Sequence, residues 1–195
     1  MKPLVPAHVT CAAVAILLTG VHTAMSADET PYSVPATPWA EDLGKHRALV
    51  QVDAPAEAVR VHIQWRRRDA DADRKQIIIV DSTTGKQVAD LVRVSTTREA
   101  GELVFHPATA PGRYEVYYLP YVVQNTWGWY GGDYLPVKTA PDADWLQRNG
   151  LADLATGKWR ELPEAHVLGI QARNEFSRFD PMEIAATAPE VQTMI

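Results

Sequence analysis

The chain has 195 residues, of which 46% are hydrophobic and 22% are charged, and its formal net charge is −5. These values are typical of one globular domain, or of one domain with appended segments, and they exclude a disordered chain. Because nucleic-acid binding relies on a positive field, the negative charge and the absence of a basic tract longer than the three arginines at 66–68 argue against a nucleic-acid partner.

Residues 1–27 have the order of a secretory signal peptide. Lys2 precedes an apolar run from Val9 to Leu18, which is shorter than the roughly 20 residues that span a membrane, and small residues follow it. We expect cleavage after Ser26 or Ala27, a secreted or periplasmic protein, and no membrane contact after cleavage. An uncleaved membrane anchor is the weaker alternative. The single cysteine lies within the apolar run, so the mature chain needs an apolar core in place of disulfides.

The next segment, 28–46, contains three prolines and few aliphatic residues, which predicts an extended entry segment. Six short stretches rich in β-branched and aromatic residues follow it, at 47–52, 58–65, 75–81, 87–94, 102–106 and 113–121. The second of them alternates apolar and polar residues, and the links between them have turn composition. These features predict a mainly β protein, a sandwich or barrel with antiparallel pairing; we favour an antiparallel β-sandwich of the jelly-roll or immunoglobulin-like kind over 47–187.

The pattern changes within 122–164, which we interpret as a long excursion between strands. A short helix is predicted there, with Asp142 or Asp144 as its cap and an end near Asn149 and Gly150. The stretches "EAHVLGIQAR" and "PMEIAAT" predict two further strands, and 188–195 is interpreted as a truncated linker to a missing domain.

The stretch "QNTWGWYGGDYLP", at 124–136, concentrates aromatic residues around a Gly-Gly pair and suggests an open loop. Flat rings with polar edges suit the apolar faces of sugars, so Trp127, Trp129, Tyr130 and Tyr134 are candidate carbohydrate-binding residues. The equally weighted alternative is that these rings close one end of the sandwich or pack against a following domain.

Motifs for catalysis or metal binding are not found in the sequence. There is no Gly-x-Ser-x-Gly or His-Glu-x-x-His, and the six histidines stand singly, so we expect no catalytic residue, cofactor or metal. Asp69, Asp71 and Asp73 alternate like a calcium loop, but that loop requires a glycine and a final glutamate that are missing. A self-neutralising charged hairpin is the better interpretation. Arg66 and Arg68 would project to one side of it, and they are candidate docking residues for another domain.

One carboxylate pair is a candidate for a small glycosidase site. Asp180 and Glu183 lie close together in "RFDPMEIA", but the proline between them favours a turn that leaves both acids exposed. Catalysis by this pair is therefore the third-ranked hypothesis for the chain.

Four stretches together resemble the N-terminal region of glycoside hydrolase family 123-like proteins: "GKHRALVQVDAPAEAVRVHIQWRRRD", "KQIIIVDSTTGKQV", "PGRYEVYYLPY" and "IQARNEFSRFDPMEIAAT". The resemblance covers roughly 38–190. It implies an exported bacterial protein in which a β-sandwich precedes a catalytic (β/α)8 barrel that degrades hexosaminide-type glycans by a substrate-assisted route. The adjacent Asp-Glu pair that does this chemistry belongs to the barrel, which needs about 250 residues, so no residue here inherits that role.

The resemblance ranks the hypotheses. The first is a non-catalytic N-terminal module that supports a catalytic barrel or contacts glycan. The second is a free-standing carbohydrate-binding module.

Overall fold

The computed structural model describes residues 30–65, 71–126 and 129–173. Its strands are β1 Tyr32–Ser33, β2 His46–Val52, β3 Val59–Gln64, β4 Ile77–Asp81, β5 Leu91–Thr96, β6 Ala100–Phe105, β7 Gly112–Tyr118, β8 Tyr121–Thr126, β9 Trp129–Tyr134 and β10 His166–Ala172. The α-helix is α1, Ala143–Arg148, and four short 3-10 turns lie at Glu41–Leu43, Ala72–Arg74, Leu154–Thr156 and Lys158–Glu161.

Two sheets pack face to face. One has five strands in the order β1-β10-β2-β7-β4, and the other has three in the order β3-β6-β5. All neighbouring strands are antiparallel except β1 and β10. The core lies between the sheets, where Val50 and Val116 of one meet Val61 and Leu103 of the other in a single apolar cluster. The predicted mainly β, antiparallel architecture with one short helix is confirmed.

Along the strands, buried and more exposed residues alternate, and this alternation determines which side chains enter the core. In β3, Val59, Val61 and Ile63 are buried while His62 and Gln64 are exposed, as the sequence pattern predicts for a strand with one wet face. Strand β4 differs, because its first three residues are all buried. Both faces of β4 must therefore be covered.

The entry segment covers the outer face of the five-stranded sheet. Trp39 packs edge-on against Tyr117, and Leu43 contacts the same cluster, which also includes Ile78 of β4. The indole N–H of Trp39 donates to the Gly44 carbonyl at 2.8 Å. The described part of the segment, which includes β1 and the 3-10 turn Glu41–Leu43, is thus packed against the sheet and is part of the fold.

The part of the excursion that follows β9 covers the outer face of the three-stranded sheet. Trp145 and Leu151 pack on Ala58 and Val104, and the turns after α1 add half-buried apolar residues to this cluster. Asp142 caps α1 by accepting the N–H of Trp145 at 2.8 Å, and the helix ends at Asn149 as predicted.

The sandwich has two distinct ends. We call the end where His46 pairs with Ala172 the hairpin end, because β8 and β9 follow β7 there. We call the opposite end, where Val52 pairs with Gly112, the cleft end.

Candidate functional site

The aromatic stretch forms a β-hairpin and not the open loop that its composition suggested. Strand β8 pairs with β9 from Tyr121 opposite Tyr134 to Thr126 opposite Trp129. The Gly-Gly pair lies within β9, because Gly131 and Gly132 face Gln124 and Val123 across the ladder. Glycine in a strand usually marks a bend or a close approach, but here it leaves the pairing register regular.

The base of the hairpin is fixed to the start of β4. The N–H of Leu135 donates to the Pro120 carbonyl at 3.0 Å, and the N–H of Gln76 donates to the Leu135 carbonyl at 2.9 Å. Gln76 is buried, and its side-chain oxygen also accepts the N–H of Lys138. The hairpin therefore leaves the sandwich from a rigid base.

Beyond this base, β8 and β9 form a two-stranded sheet of their own within the described part of the chain. Strand β8 lies beside the turn Glu41–Leu43 of the entry segment. Six residues per strand at about 3.3 Å each give a ribbon of about 20 Å. An isolated two-stranded hairpin is marginally stable in water, so this ribbon is suited to contact a further surface.

Tyr134 is half-buried, and the ammonium group of Lys75 lies 3.6 Å from its ring centroid. One ring face is thus occupied by a cation–π contact. The side chains of Trp129 and Tyr130 and all of Trp127 lie outside the described structure. The carbohydrate platform stays a prediction.

An aromatic stack supports the hairpin end from inside. The buried rings of Trp65 and Tyr118 stack with centroids 5.1 Å apart, and the His46 ring also stacks with Tyr118, at 6.2 Å. The indole N–H of Trp65 donates to the Thr97 carbonyl at 2.9 Å. These contacts hold the start of β2 and the end of β7 at fixed positions.

The last described residue, Arg173, is also fixed at the hairpin end. Its backbone N–H donates to the Lys45 carbonyl at 2.8 Å, and its side-chain Nε donates to the Trp39 carbonyl at 2.7 Å. Its guanidinium also lies 3.3 Å from the carboxylate of Glu41. Arg173 is therefore held close to β8, which contacts the same turn of the entry segment.

A polar network around Arg47 crosses the covered face of the five-stranded sheet. The guanidinium lies 4.5 Å from the Trp39 ring centroid, pairs with Glu115 at 2.8 Å and donates to Gln171 at 2.8 Å. The hydroxyl of Tyr117 donates to Glu115 at 2.6 Å, and burial, together with that carboxylate, raises the pKa of Tyr117 to about 12. This network is internally satisfied, so its role is structural.

Among the described residues, three adjoining clefts open at the cleft end and along the neighbouring edge of β4. The central one, of about 320 Å³, is formed by the turn after β4 and by the segment 106–109. Two shallower clefts flank it, one sharing His106 and Ala108 and the other sharing Gln87, Val88 and Ala89. The composition of the link between 75–81 and 87–94 predicts a turn, but nothing in it shows that a second loop lies opposite.

Asp81 forms the inner wall of the central cleft and is 1% exposed. One carboxylate oxygen accepts the N–H groups of Thr83 and Thr84 at 2.8 and 3.0 Å. Burial alone would raise the pKa of Asp81, but the Thr109 hydroxyl and these two backbone donors outweigh burial and hold the pKa below its ordinary value. Asp81 is thus charged at neutral pH and fixes the shape of the turn.

We expect Asp81→Asn to lower the free energy of unfolding by about 1–2 kcal/mol at pH 7, because the amide retains one acceptor but loses the charge. The folded-state pKa is depressed, so the stabilisation is present above the unfolded-state value of about 4 and is lost as the pH falls through the folded-state pKa. Urea unfolding of both proteins at pH 7 and pH 3 measures the difference. An equal difference at the two pH values would contradict this role.

Most of the remaining candidate residues lie outside the described structure, and the described Asp71 and Asp73 belong to no group that could hold a metal ion. Arg66, Arg68 and Asp69 lie outside it, as do Asp180 and Glu183. In the described ranges, no group of three or more His, Cys, Asp or Glu side chains could hold a metal ion. No helix in those ranges has the length and apolarity to cross a membrane.

The sequence was compared with models of protein families, with curated proteins and with solved structures. The family described as "Glycoside hydrolase 123, N-terminal domain" matches residues 37–173, which is more than half of the chain. The chain belongs to this family. The match extends through the sandwich and ends at Arg173, so the glycoside hydrolase 123 N-terminal domain includes both the entry segment from residue 37 and the excursion. No curated protein and no solved structure matches the chain.

Proposed function

We propose that the chain is the non-catalytic N-terminal module of an exported glycoside hydrolase that degrades hexosaminide-type glycans, and that its hairpin end supports the catalytic domain. The observation that carries this proposal is the position of Arg173. The family match ends at this residue, and three contacts fix it to the entry segment beside β8.

The geometry favours the hairpin end over the rest of the surface. Arg173, the described residue nearest in sequence to any following domain, lies beside the hairpin. The outer faces of the two sheets are already packed against the entry segment and against α1 with its following turns. The hairpin is a ribbon outside both sheets and gains most from a neighbouring surface.

Two exposed aliphatic residues make a matched test. Val122 on β8 is 43% exposed and Leu168 on β10 is 41% exposed, but Val122 belongs to the hairpin and Leu168 lies on the body of the five-stranded sheet. In the test, a glycoside hydrolase family 123 catalytic domain is joined to the C-terminus of the full chain. The hydrolysis of an aryl N-acetylhexosaminide by the catalytic domain is then measured after heating.

We expect the joined catalytic domain to keep activity to a higher temperature than the same domain alone. Val122→Arg should remove at least half of this gain, because a charge placed in a docked surface must be desolvated. Leu168→Arg should leave the gain unchanged. A gain that is absent, or that both variants reduce equally, would overturn the proposal.

A further inference from the structure

The central cleft has a set of polar groups that face open space. His106 donates from Nδ1 to the Glu57 carbonyl at 2.8 Å, which leaves Nε2 as the ring nitrogen that a ligand can contact. Asp90 accepts the N–H of Asp142 with one oxygen, at 2.8 Å, and has a second oxygen to offer. The exposed side chains of Lys86 and Gln87 make no hydrogen bond or ion pair with the described residues, and they add donors to the same cleft.

Small apolar side chains lie between these polar groups. Val88, Ala89 and Ala108 line the cleft, and their small side chains leave space for a ligand beside the wall. The opposite wall is fixed by Tyr114, whose hydroxyl accepts the N–H of Thr109 at 2.8 Å and donates to the Thr109 carbonyl at 2.5 Å. The cleft is therefore supported on both sides before any ligand arrives, which lowers the entropy cost of binding.

The charges limit the class of ligand. Lys86 contributes one positive charge, and Asp81 and Asp90 contribute two negative charges, so strongly anionic ligands are disfavoured. An acetamido group needs an acceptor for its N–H, a donor for its carbonyl and an apolar wall for its methyl group. Asp90, the Lys86–Gln87 pair and Val88 with its neighbouring alanines offer these three features.

We propose that this cleft binds an N-acetylated sugar unit of a neutral glycan. The flanking clefts extend the site on both sides, so neighbouring sugar units of the same chain can follow the surface from segment 55–57 to segment 138–140. The identification as a glycan site rests on the proposed function, but the cleft lies at the end of the sandwich opposite the hairpin. One protein can thus hold a catalytic domain at one end and a glycan at the other.

The test uses two probes that differ in the acetamido group, namely chitotetraose and cellotetraose, with binding to the full chain measured by calorimetry. We expect chitotetraose to bind and cellotetraose to bind at least tenfold more weakly. Ala108→Tyr places a ring in the cleft from an exposed position and should weaken chitotetraose binding at least tenfold. Ala152→Tyr makes the same change at an exposed position outside the clefts and should leave the affinity unchanged.

Gln87→Ala should weaken binding several-fold, with Gln147→Ala on the exposed surface of α1 as its control. Absence of chitotetraose binding, equal affinity for both probes, or full affinity in Ala108→Tyr would each overturn the proposal. The same preparation is joined to the catalytic domain for the heating assay. If stabilisation persists while glycan binding fails, only the glycan site is refuted.

Discussion

Replacing Gly101 by alanine is expected to lower the free energy of unfolding by about 3 kcal/mol or more, because the new methyl group has no space. Gly101 lies in β6, and a Cβ atom there would come within 2.0 Å of Cη2 and 2.5 Å of Cζ3 of Trp65. The indole cannot move aside easily, since it is 1% exposed, stacks on Tyr118 and is hydrogen-bonded to Thr97. Urea unfolding followed by tryptophan fluorescence measures the change.

Two comparisons identify the cause of this loss. Gly85→Ala meets no atom within 4 Å and should cost only about 1 kcal/mol, from its positive φ of 68°. Trp65→Leu frees the space that the methyl group needs, so Gly101→Ala should cost less in that background, with a coupling energy above about 1 kcal/mol. Additive losses in the double variant would show that the collision is not the reason.

Trp145→Ala is expected to cost about 3–5 kcal/mol, as large-to-small changes at buried aromatic residues do. Trp145 is 2% exposed, packs on Ala58 and Val104, and donates from its indole N–H to the Glu57 carbonyl at 2.7 Å. Its loss opens a cavity beneath α1 and exposes the outer face of the three-stranded sheet. The free energy of unfolding in urea again provides the measurement.

Trp145→Phe is the control, because it retains most of the apolar contact while it removes the hydrogen bond and a small part of the ring volume. We expect it to cost about 1–2 kcal/mol in packing and hydrogen bonding together. Trp159→Ala, at a half-buried position of the same cluster, should cost less than Trp145→Ala. If Trp145→Ala costs less than about 1 kcal/mol, the part of the excursion after the hairpin is not an integral part of the fold.

Much of the fold could be predicted because its signals are local. The alternation in β3 shows which face is buried, and the Asp142 cap and Asn149–Gly150 end follow from backbone hydrogen-bonding rules at helix termini. The covering of Ile78 by Trp39 could not be predicted in the same way. It depends on two segments almost 40 positions apart meeting across a sheet, and neither segment has a periodic pattern that shows this.

The candidate sites show the same division. The aromatic composition at 124–136 was visible, but glycines favoured a loop, whereas regular pairing between β8 and β9 includes them in a strand. The cleft was missed because Asp81 and Thr109 are joined only by tertiary structure. A buried aspartate at the start of a turn gives the same sequence pattern as an exposed one.

Backbone amide hydrogen exchange of β8 and β9 tests the central claim most directly. The full chain is measured alone and joined to a glycoside hydrolase family 123 catalytic domain. We predict that amides in Tyr121–Thr126 and Trp129–Tyr134 exchange at least tenfold more slowly in the joined protein, while amides of β3 and β6 keep their rates. Unchanged exchange in the hairpin, or new protection confined to the cleft end, would contradict a catalytic domain supported by the hairpin end.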